Sequence, residues 1–566
     1  MDRLDLRCLA KRLEGESQVY SFHINSRTSP NKYPAKQHAR AVANRLEVTE
    51  GLIYLAGAPT AFLEDSDQSA PFRQRRYFFY FSGCDEADCH ILYDISKDKL
   101  VLYIPEIDAR KAVWGGAGST KPEAEAKYDA DGVKYTSHLK DDVKKWWNKG
   151  SGRLYLLHPD QTVTPYCLDS ETLDVGRIDA LLLRYTTDLC RVIKDDHEIK
   201  LIRRANEVSA HAHRAVLKNI HSFQNESQVE AIFLDTSISE GAKHQAYSII
   251  AGSGMNAAVL HYVNNNEPLA DRQLLLIDAG AEWDCYASDV TRTFPISGKW
   301  TKEAKDIYDL VDEMQTACMT RMKPGTHFRD LQVLAHFIAV TGLMKLGILH
   351  NGTRDEILAA GTSTAFFPHG LGHHVGLEVH DVIDLPFTMA TGEHFSQSEF
   401  PTGDPSLLAQ LYQTLIDPSL CKGPLLRQGT GLQEGMIVTV EPGIYFSQYA
   451  LTRVFLPNPV HARYINKQVL AKYMLVGGVR IEDDILITRD GYENLTTAPK
   501  GDEALKIIRG DRVPSNADLD TSYGEDSIHI PSMTLEDLDT YSRVFRQLSS
   551  KEDSGLIQGI FSEAKT

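Results

Sequence analysis

Short apolar runs separated by polar turns fill the first part of the chain. Lys36 to Leu46 reads as a helix, and Gly51 to Gly57 (GLIYLAG) as a strand closed by glycine. Arg76 to Gly83 (RYFFYFSG), His90 to Ser96 (HILYDIS), Lys99 to Pro105 (KLVLYIP) and Arg153 to His158 (RLYLLH) predict further strands, and a helical stretch comes next around Ser170 to Cys190. This predicts a compact α/β unit with no catalytic cluster, suited to support or oligomerisation. Near Lys194 the pattern changes. Asp195 and Asp196 are good N-cap and first-turn residues for a helix whose face carries Leu201, Ala205, Val208, Ala212 and Val216. Further helices are predicted over Ser227 to Ser239, Lys302 to Met322 and Phe328 to Met344. Strands are predicted at Gly435 to Phe446 and Gly477 to Thr488. Helices packed on one face of a curved, antiparallel sheet make the expected class of this part α+β.

The stretch around which this second part is organised is Leu274 to Phe294, LLLIDAGAEWDCYASDVTRTF. An apolar run ends in Asp278, and a second β-prone run carries Asp289, which reads as two adjacent strands joined by a turn. Either acid alone would be read as a turn cap or a surface group. Two acids delivered by one apolar hairpin instead suggest a cation, because an unpaired buried carboxylate is strongly disfavoured.

Composition narrows the class. At 566 residues the chain exceeds what one core usually supports. A formal net charge of -17 argues against nucleic acid and suits a site that gathers cations. The cysteines show no paired spacing: Cys84 and Cys89, followed by His90, lack the second ligand pair of a zinc knuckle. The charged start MDRLDLRCLAKRLEG has no apolar core of a secretory signal, and no apolar run is long enough to span a bilayer. The expectation is a soluble cytoplasmic protein with free thiols and no membrane association.

Downstream comes FFPHGLGHHVGLEVHD. His369, His373 and His380 sit among glycines that let the backbone pass close to a ligand. Spacing alone does not choose between His373 and His374. Glu441 then ends an apolar strand in VTVEPGIYF, and Glu482 lies in the β-prone GGVRIEDD. Carboxylates at the ends of buried strands are costly unless paired or metal-bound. Four carboxylates and at least one imidazole are thus brought from separate segments towards one point.

Taken together, Asp278/Asp289, HGLGHHVG, VEPG and RIEDD resemble the metallopeptidases of the pita-bread (creatinase/aminopeptidase-like) fold, which include aminopeptidase P, prolidase and methionine aminopeptidase. The resemblance spans roughly Leu189 to Pro499, and the part before it is similar to the N-terminal domain of aminopeptidase P and prolidase. It implies an α/β domain over 1–188 and a catalytic domain over 189–500 with an inserted loop at about 388–429. Residues 501–566 are expected as an acidic, partly disordered tail.

Residue by residue, the resemblance implies two metal ions per subunit: Asp278 on one, His373 and Glu441 on the other, with Asp289 and Glu482 bridging both. Family position, not spacing, selects His373. The oxygen-rich donor set and family habit point to manganese, with cobalt, zinc or iron able to bind in vitro. Two close cations would lower the pKa of a bridging water, and the hydroxide would attack the scissile carbonyl. Glu441 is the candidate proton shuttle. His261 and His380 match positions that hold substrate and stabilise the tetrahedral intermediate. His369 matches a pocket residue, Arg480 a group ordering the carboxylates, and Tyr247 and Arg427 substrate contacts.

The implied reaction is release of the first residue from peptides with proline at the second position, by an Xaa-Pro aminopeptidase. The alternative is a prolidase cleaving Xaa-Pro dipeptides, with Arg427 clamping the carboxylate. A non-catalytic scaffold is the remote alternative, and retention of all five ligands argues against it. A homodimer is a further family expectation. The loop between Pro386 and Arg427 and Glu434 before Gly435 depart from the family pattern, which bears on specificity.

Overall fold

The computed structural model describes residues 32–158, 174–382 and 431–511. The expected insert at 388–429 and the tail beyond Asp511 lie outside the described residues. In the first part, strands β1 (Leu52–Ala56), β2 (His90–Asp94), β3 (Lys99–Ile104), β4 (Gly132–Tyr135), β5 (Leu154–Tyr155) and β6 (Ile178–Asp179) form one mixed sheet in the order β4-β3-β2-β1-β5-β6. Alternate residues of each central strand feed opposite faces. Ile53, Leu55, Ile91 and Leu102 pack with helices α1 (Ala35–Arg45) and α2 (Arg76–Ser82). Leu52, Tyr54, Leu92 and Val101 pack instead with α3 (Leu139–Trp147). Both faces are covered, so the strands read as continuous apolar runs.

RYFFYFS, expected as a strand, is α2. Arg76, Phe78, Phe79, Tyr80, Phe81 and Ser82 are all buried, so the segment has no polar face to reveal a helical period. Gly83 ends it with φ 61°, its N–H bonded to the Phe79 carbonyl at 2.7 Å.

Helix α4 (Leu182–Arg191) leads into α5 (Asp196–Asn219). Asp195 caps α5 as expected, accepting from the N–H groups of His197 and Glu198. The buried stripe of α5 runs through Ile202, Ala205, Val208, Ala212 and Val216; Leu201, expected on it, sits at its half-buried edge. After α6 (Glu226–Ser239) come β7 (His244–Gln245), β8 (Ile250–Ser253), β9 (Leu274–Asp278), β10 (Ala281–Trp283), β11 (Tyr286–Ala287) and β12 (Thr291–Pro295). β9 lies antiparallel between β8 and β12, while β10 and β11 form a small hairpin that pairs with β7.

Helices α7 (Lys302–Met319) and α8 (Phe328–Lys345) precede β13 (Ile437–Val440), β14 (Gly443–Tyr445), β15 (Gly478–Arg480), β16 (Asp483–Ile487) and β17 (Tyr492–Asn494). β13 pairs with β16 and β14 with β15, and a bridge between Thr291 and Glu482 ties this half to the β8-β9-β12 half. Each expected long strand is therefore interrupted at its acid. Asp289 precedes β12, Glu441 follows β13, and Glu482 separates β15 from β16. These are the points where backbone pairing passes from one partner strand to the next.

α7 and α8 pack on one half of this α+β domain, and α5, α6 and a last helix, α9 (Gly501–Arg509), on the other. The tail expected from residue 501 thus begins with a docked amphipathic helix. Ala504, Leu505, Ile507 and Ile508 are buried, and Glu503 meets Arg214 at 2.8 Å. The acidic, Ser/Asp-rich character of the sequence after this helix masks that pattern.

Leu505 is 4% exposed and packs in the cluster containing Leu275 and Phe294. Leu505→Ala should lower stability by about 2–5 kcal/mol, read as a shift of the urea unfolding midpoint. His336 on α8, buried with both ring nitrogens engaged, gives the fold a pH dependence. The Gln332 side-chain NH₂ donates to Nε2 at 2.9 Å, and Nδ1–H donates to Ser363 Oγ at 3.0 Å. Burial, assisted by His369, drops this histidine from 6.5 to about 3. The unfolded chain binds the proton and the folded one does not. Stability is therefore complete above the ordinary histidine value and is lost as pH falls from there towards about 3. His336→Met should remove up to about 1.4 kcal/mol per pH unit of that slope between pH ~6 and ~5, measured by urea denaturation at each pH.

Candidate functional site

Asp278 ends β9 with both carboxylate oxygens held: Tyr247 Oη–H donates to Oδ1 at 2.6 Å, and Arg480 Nη2–H to Oδ2 at 2.5 Å. Asp289 is fixed through its backbone, whose N–H donates to Asp484 Oδ2 at 3.0 Å. Glu482 accepts from Thr291 Oγ–H at 2.6 Å through Oε2. His373 donates its Nδ1–H to the His374 carbonyl at 3.0 Å, which turns Nε2 to 3.3 Å from Asp289 Oδ2 and 3.3 Å from Glu441 Oε1. Gly372 is required here, since a Cβ would lie 2.1 Å from the Thr439 carbonyl oxygen. That close approach brings the histidine loop onto β13, where Thr439 Oγ accepts from the His373 N–H at 3.0 Å and donates to Glu441 Oε1 at 3.3 Å.

The ligand atoms gather into overlapping groups within 4.8 Å: Asp278, Asp289 and Glu482; His373, Glu441 and Glu482; Asp289, His373 and His380. Asp289 and Glu482 each belong to two of these groups. All five expected metal-binding side chains thus meet at one place. His374, one residue along, belongs to none of the groups; its Nδ1 is buried without a hydrogen-bond partner among the described residues.

Electrostatically the cluster demands positive charge. Burial, then Asp289 and Glu441, push the Glu482 carboxyl well above its usual range. Burial is also the first cause raising Asp289 to about 6, against the lowering effect of His373. Burial opposes a charge on His373, but hydrogen bonds to Asp289 and Glu441 outweigh it and lift His373 well above 6.5. Burial likewise works against the Glu441 anion, yet His373 holds that carboxyl down at about 2. Hard oxygen donors with one imidazole, drawing in positive charge, fit divalent cations.

Around this centre the other expected residues take distinct places. His380 is half-buried, its ring centroid 4.4 Å from that of His373. His261 lies exposed beyond β8, near enough to His369 and His380 to lower both. His369 donates Nδ1–H to the Gly370 carbonyl at 2.8 Å and accepts at Nε2 from Tyr445 Oη–H at 2.8 Å. Tyr247, expected to touch substrate, is bound to Asp278 and orients that acid. Arg480, bonded to Asp278, also donates to Thr291 Oγ at 3.1 Å and Tyr445 Oη at 2.9 Å. Arg427 lies outside the described residues.

Four supporting residues escaped sequence reasoning. Tyr445 bridges Arg480 and His369, and Thr439 links His373 to Glu441. Asp484 holds Asp289. Gln332 reaches across from α8 to accept from the Leu371 N–H and donate to the His369 carbonyl. Tyr445 and Asp484 lie inside VEPGIYF and RIEDD, so proximity to a ligand was the only available signal. Gln332 had none.

Comparison with known proteins identifies the family. Residues 200–489 match metallopeptidase family M24, and residues 35–155 match the aminopeptidase P N-terminal domain. A relative from Aspergillus clavatus described as "Probable Xaa-Pro aminopeptidase" is 53% identical over 483 residues, 85% of this chain and 93% of that protein. One of the same description from Pyrenophora teres f. teres is 53% identical over 513 residues; the match takes in 90% of this chain and 54% of that longer protein. The zinc-substituted E. coli aminopeptidase P in complex with product superposes with a TM-score of 0.67 at 27% identity, over 86% of this chain and all of that one (100%). With the acids and histidine at the strand ends in one cluster, the α+β domain is of the pita-bread type, and the chain belongs to metallopeptidase family M24.

Proposed function

We propose that this chain is an Xaa-Pro aminopeptidase, releasing the first residue of peptides whose second residue is proline, with two manganese ions as its working metals. The observation that carries this reading is the meeting of Asp278, Asp289, His373, Glu441 and Glu482 at one buried point reached from separate strand ends and one loop. Relatives described as Xaa-Pro aminopeptidases at about half identity over most of the chain support the substrate class.

Asp278 would hold one ion and His373 with Glu441 the other, Asp289 and Glu482 being shared between them. The bound ions supply Lewis acidity and make a nucleophilic water available at neutral pH. The protein supplies orientation and proton movement. Tyr247 and Arg480 leave Asp278 no rotamer freedom, and the Nδ1–H bond of His373 fixes the tautomer that presents Nε2. Glu441, an anion with Oε1 anchored by Thr439, takes the proton from the attacking water and returns it to the leaving nitrogen. That nitrogen belongs to proline, so the scissile amide offers no N–H for the protein to grip. Recognition therefore falls on the carbonyl and the free amine, for which His261, His369 and His380 stand nearby. Burial keeps His380 neutral, its value lowered to about 3, as suits a hydrogen-bond partner to a carbonyl oxygen. The working unit is a homodimer in the cytoplasm, with neither nucleic acid nor membrane as partner.

The direct test offers manganese-loaded protein Gly-Pro-Gly-Gly beside Gly-Pro. Glycine should be released faster from the tetrapeptide, chelation should stop the reaction, and manganese should restore it better than zinc. Asp289→Ala should lose more than about 100-fold, since disturbing even an outer partner of a metal ligand costs roughly 10–100-fold. Cleavage of the dipeptide alone would replace this reading with a prolidase. A finer check concerns Tyr445: Tyr445→Phe removes one hydroxyl that serves both His369 and Arg480. It should lower kcat/KM by about 10-fold or more while leaving the fold intact by circular dichroism.

A further inference from the structure

Two buried cations from the segment joining the domains close on one carboxylate of the histidine loop. Arg191, at the end of α4, donates from Nη2 to Asp381 Oδ1 at 2.5 Å, and Lys194 donates from Nζ to Oδ2 at 3.3 Å. The three side chains are only 3%, 1% and 1% exposed. Asp381 directly follows His380. Its backbone N–H donates to the His374 carbonyl at 2.9 Å, the same oxygen that takes the Nδ1–H of His373. The Asp381 carboxylate also packs against Gly376, where a Cβ would lie 2.3 Å from Oδ2.

On its other side the segment grips both neighbours. The Arg191 guanidinium lies 4.7 Å from the ring centroid of Tyr77 on α2, and Tyr77 Oη–H donates to Asp188 at 2.7 Å. The Lys194 N–H donates to the Gly435 carbonyl at 2.9 Å, just ahead of the strand that ends at Glu441.

A buried ion cluster is a poor way to gain stability, because apolar side chains of similar volume do as well or better. What it fixes is geometry. We propose that Arg191 and Lys194 are positioning residues that act through Asp381 to hold the 373–381 loop, so that His373 and His380 face the carboxylates. The domain joint is thereby part of the site. This rests on the metal-binding reading above, and it adds residues that touch neither metal nor substrate.

The test uses the full-length protein and three variants: Arg191→Met, Arg191→Lys and Asp381→Asn. Manganese affinity is measured by titration calorimetry on metal-stripped protein, kcat and KM on Gly-Pro-Gly-Gly, and thermal unfolding on the metal-stripped form. Arg191→Met should weaken manganese binding and lower kcat by about 10–100-fold each, with KM changed less than about 3-fold. Arg191→Lys should recover most of both losses, because a single N–H makes the contact and Nε has no hydrogen-bond partner among the described residues. Asp381→Asn should fall in the same direction as Arg191→Met. Wild-type manganese affinity and kcat in Arg191→Met and Asp381→Asn, with the melting temperature alone lowered, would overturn the proposal, leaving the cluster merely structural. Should Arg191→Met fail to fold, Asp381→Asn decides by the same criteria. If the wild type binds manganese yet cleaves no Xaa-Pro peptide, the proposed activity fails, and the affinity comparison alone decides the role of Arg191.

Discussion

Everything in the larger domain answers to one electrostatic constraint: four carboxylates are held together where water scarcely reaches. Asp278, Asp289 and Glu482 are 8%, 4% and 1% exposed, and such a group of like charges repels itself strongly in a low dielectric. Among the described residues no surplus of cations neutralises the cluster. One guanidinium, Arg480, reaches Asp278, and one imidazole lies between Asp289 and Glu441. The remaining demand is met by drawing protons onto Glu482 and His373, or by divalent ions. A framework of neutral donors from Tyr247, Thr291 and Thr439 keeps the oxygens in place in either case. A site kept rigid while short of positive charge is what tight binding of a hard cation requires.

That constraint explains which parts of the site were legible in the sequence. An acid that ends an apolar run is noticed once others like it recur, so Asp278 and Glu441 become legible together rather than singly. Choosing between His373 and His374 needed something the residues themselves do not carry. The backbone is extended there, His374 bridging Val438 and Asp381, so adjacent side chains point to opposite faces. Which face meets the acids depends on the register with β13, a contact between segments far apart in the chain. Tyr445, Thr439 and Gln332 were illegible for the same reason: each acts by hydrogen bonds to residues brought near only by folding.

The fold itself was readable where one side of an element is polar and obscure where none is. α1 and strands β1, β2 and β3 follow their patterns to within a residue or two, whereas β4 had no expectation and β6 falls inside the stretch read as helical over 170–190. RYFFYFS, enclosed on all sides, carried strand-like composition into a helix, and α9 was hidden by the acidic, Ser/Asp-rich character of the residues after it. The strand interruptions at Asp289, Glu441 and Glu482 were unreadable because a break in pairing leaves no mark on a β-prone run, apart from Pro442, which lacks the N–H a central ladder needs.

The division between the domains is clearer in the sequence than in the packing. One apolar cluster runs without interruption from Ile53 and Phe79 through Tyr286 to Val375, Ile437 and Leu486. Across it, Arg76 on α2 is bonded to Glu282, the two side chains 3% and 5% exposed, while Arg73 pairs with Glu378 at the half-exposed rim. The rim pair contributes little by itself. Removing one partner of the buried pair would instead strand a charge away from water, at a cost of several kcal/mol. Glu282 sits in the hairpin between Asp278 and Asp289, and Glu378 in the loop between His373 and His380, so both pairs bear on segments that carry the site. The first domain is thus more than an attached module: its aromatic helix forms one wall of the scaffold that holds the acids and histidines in register.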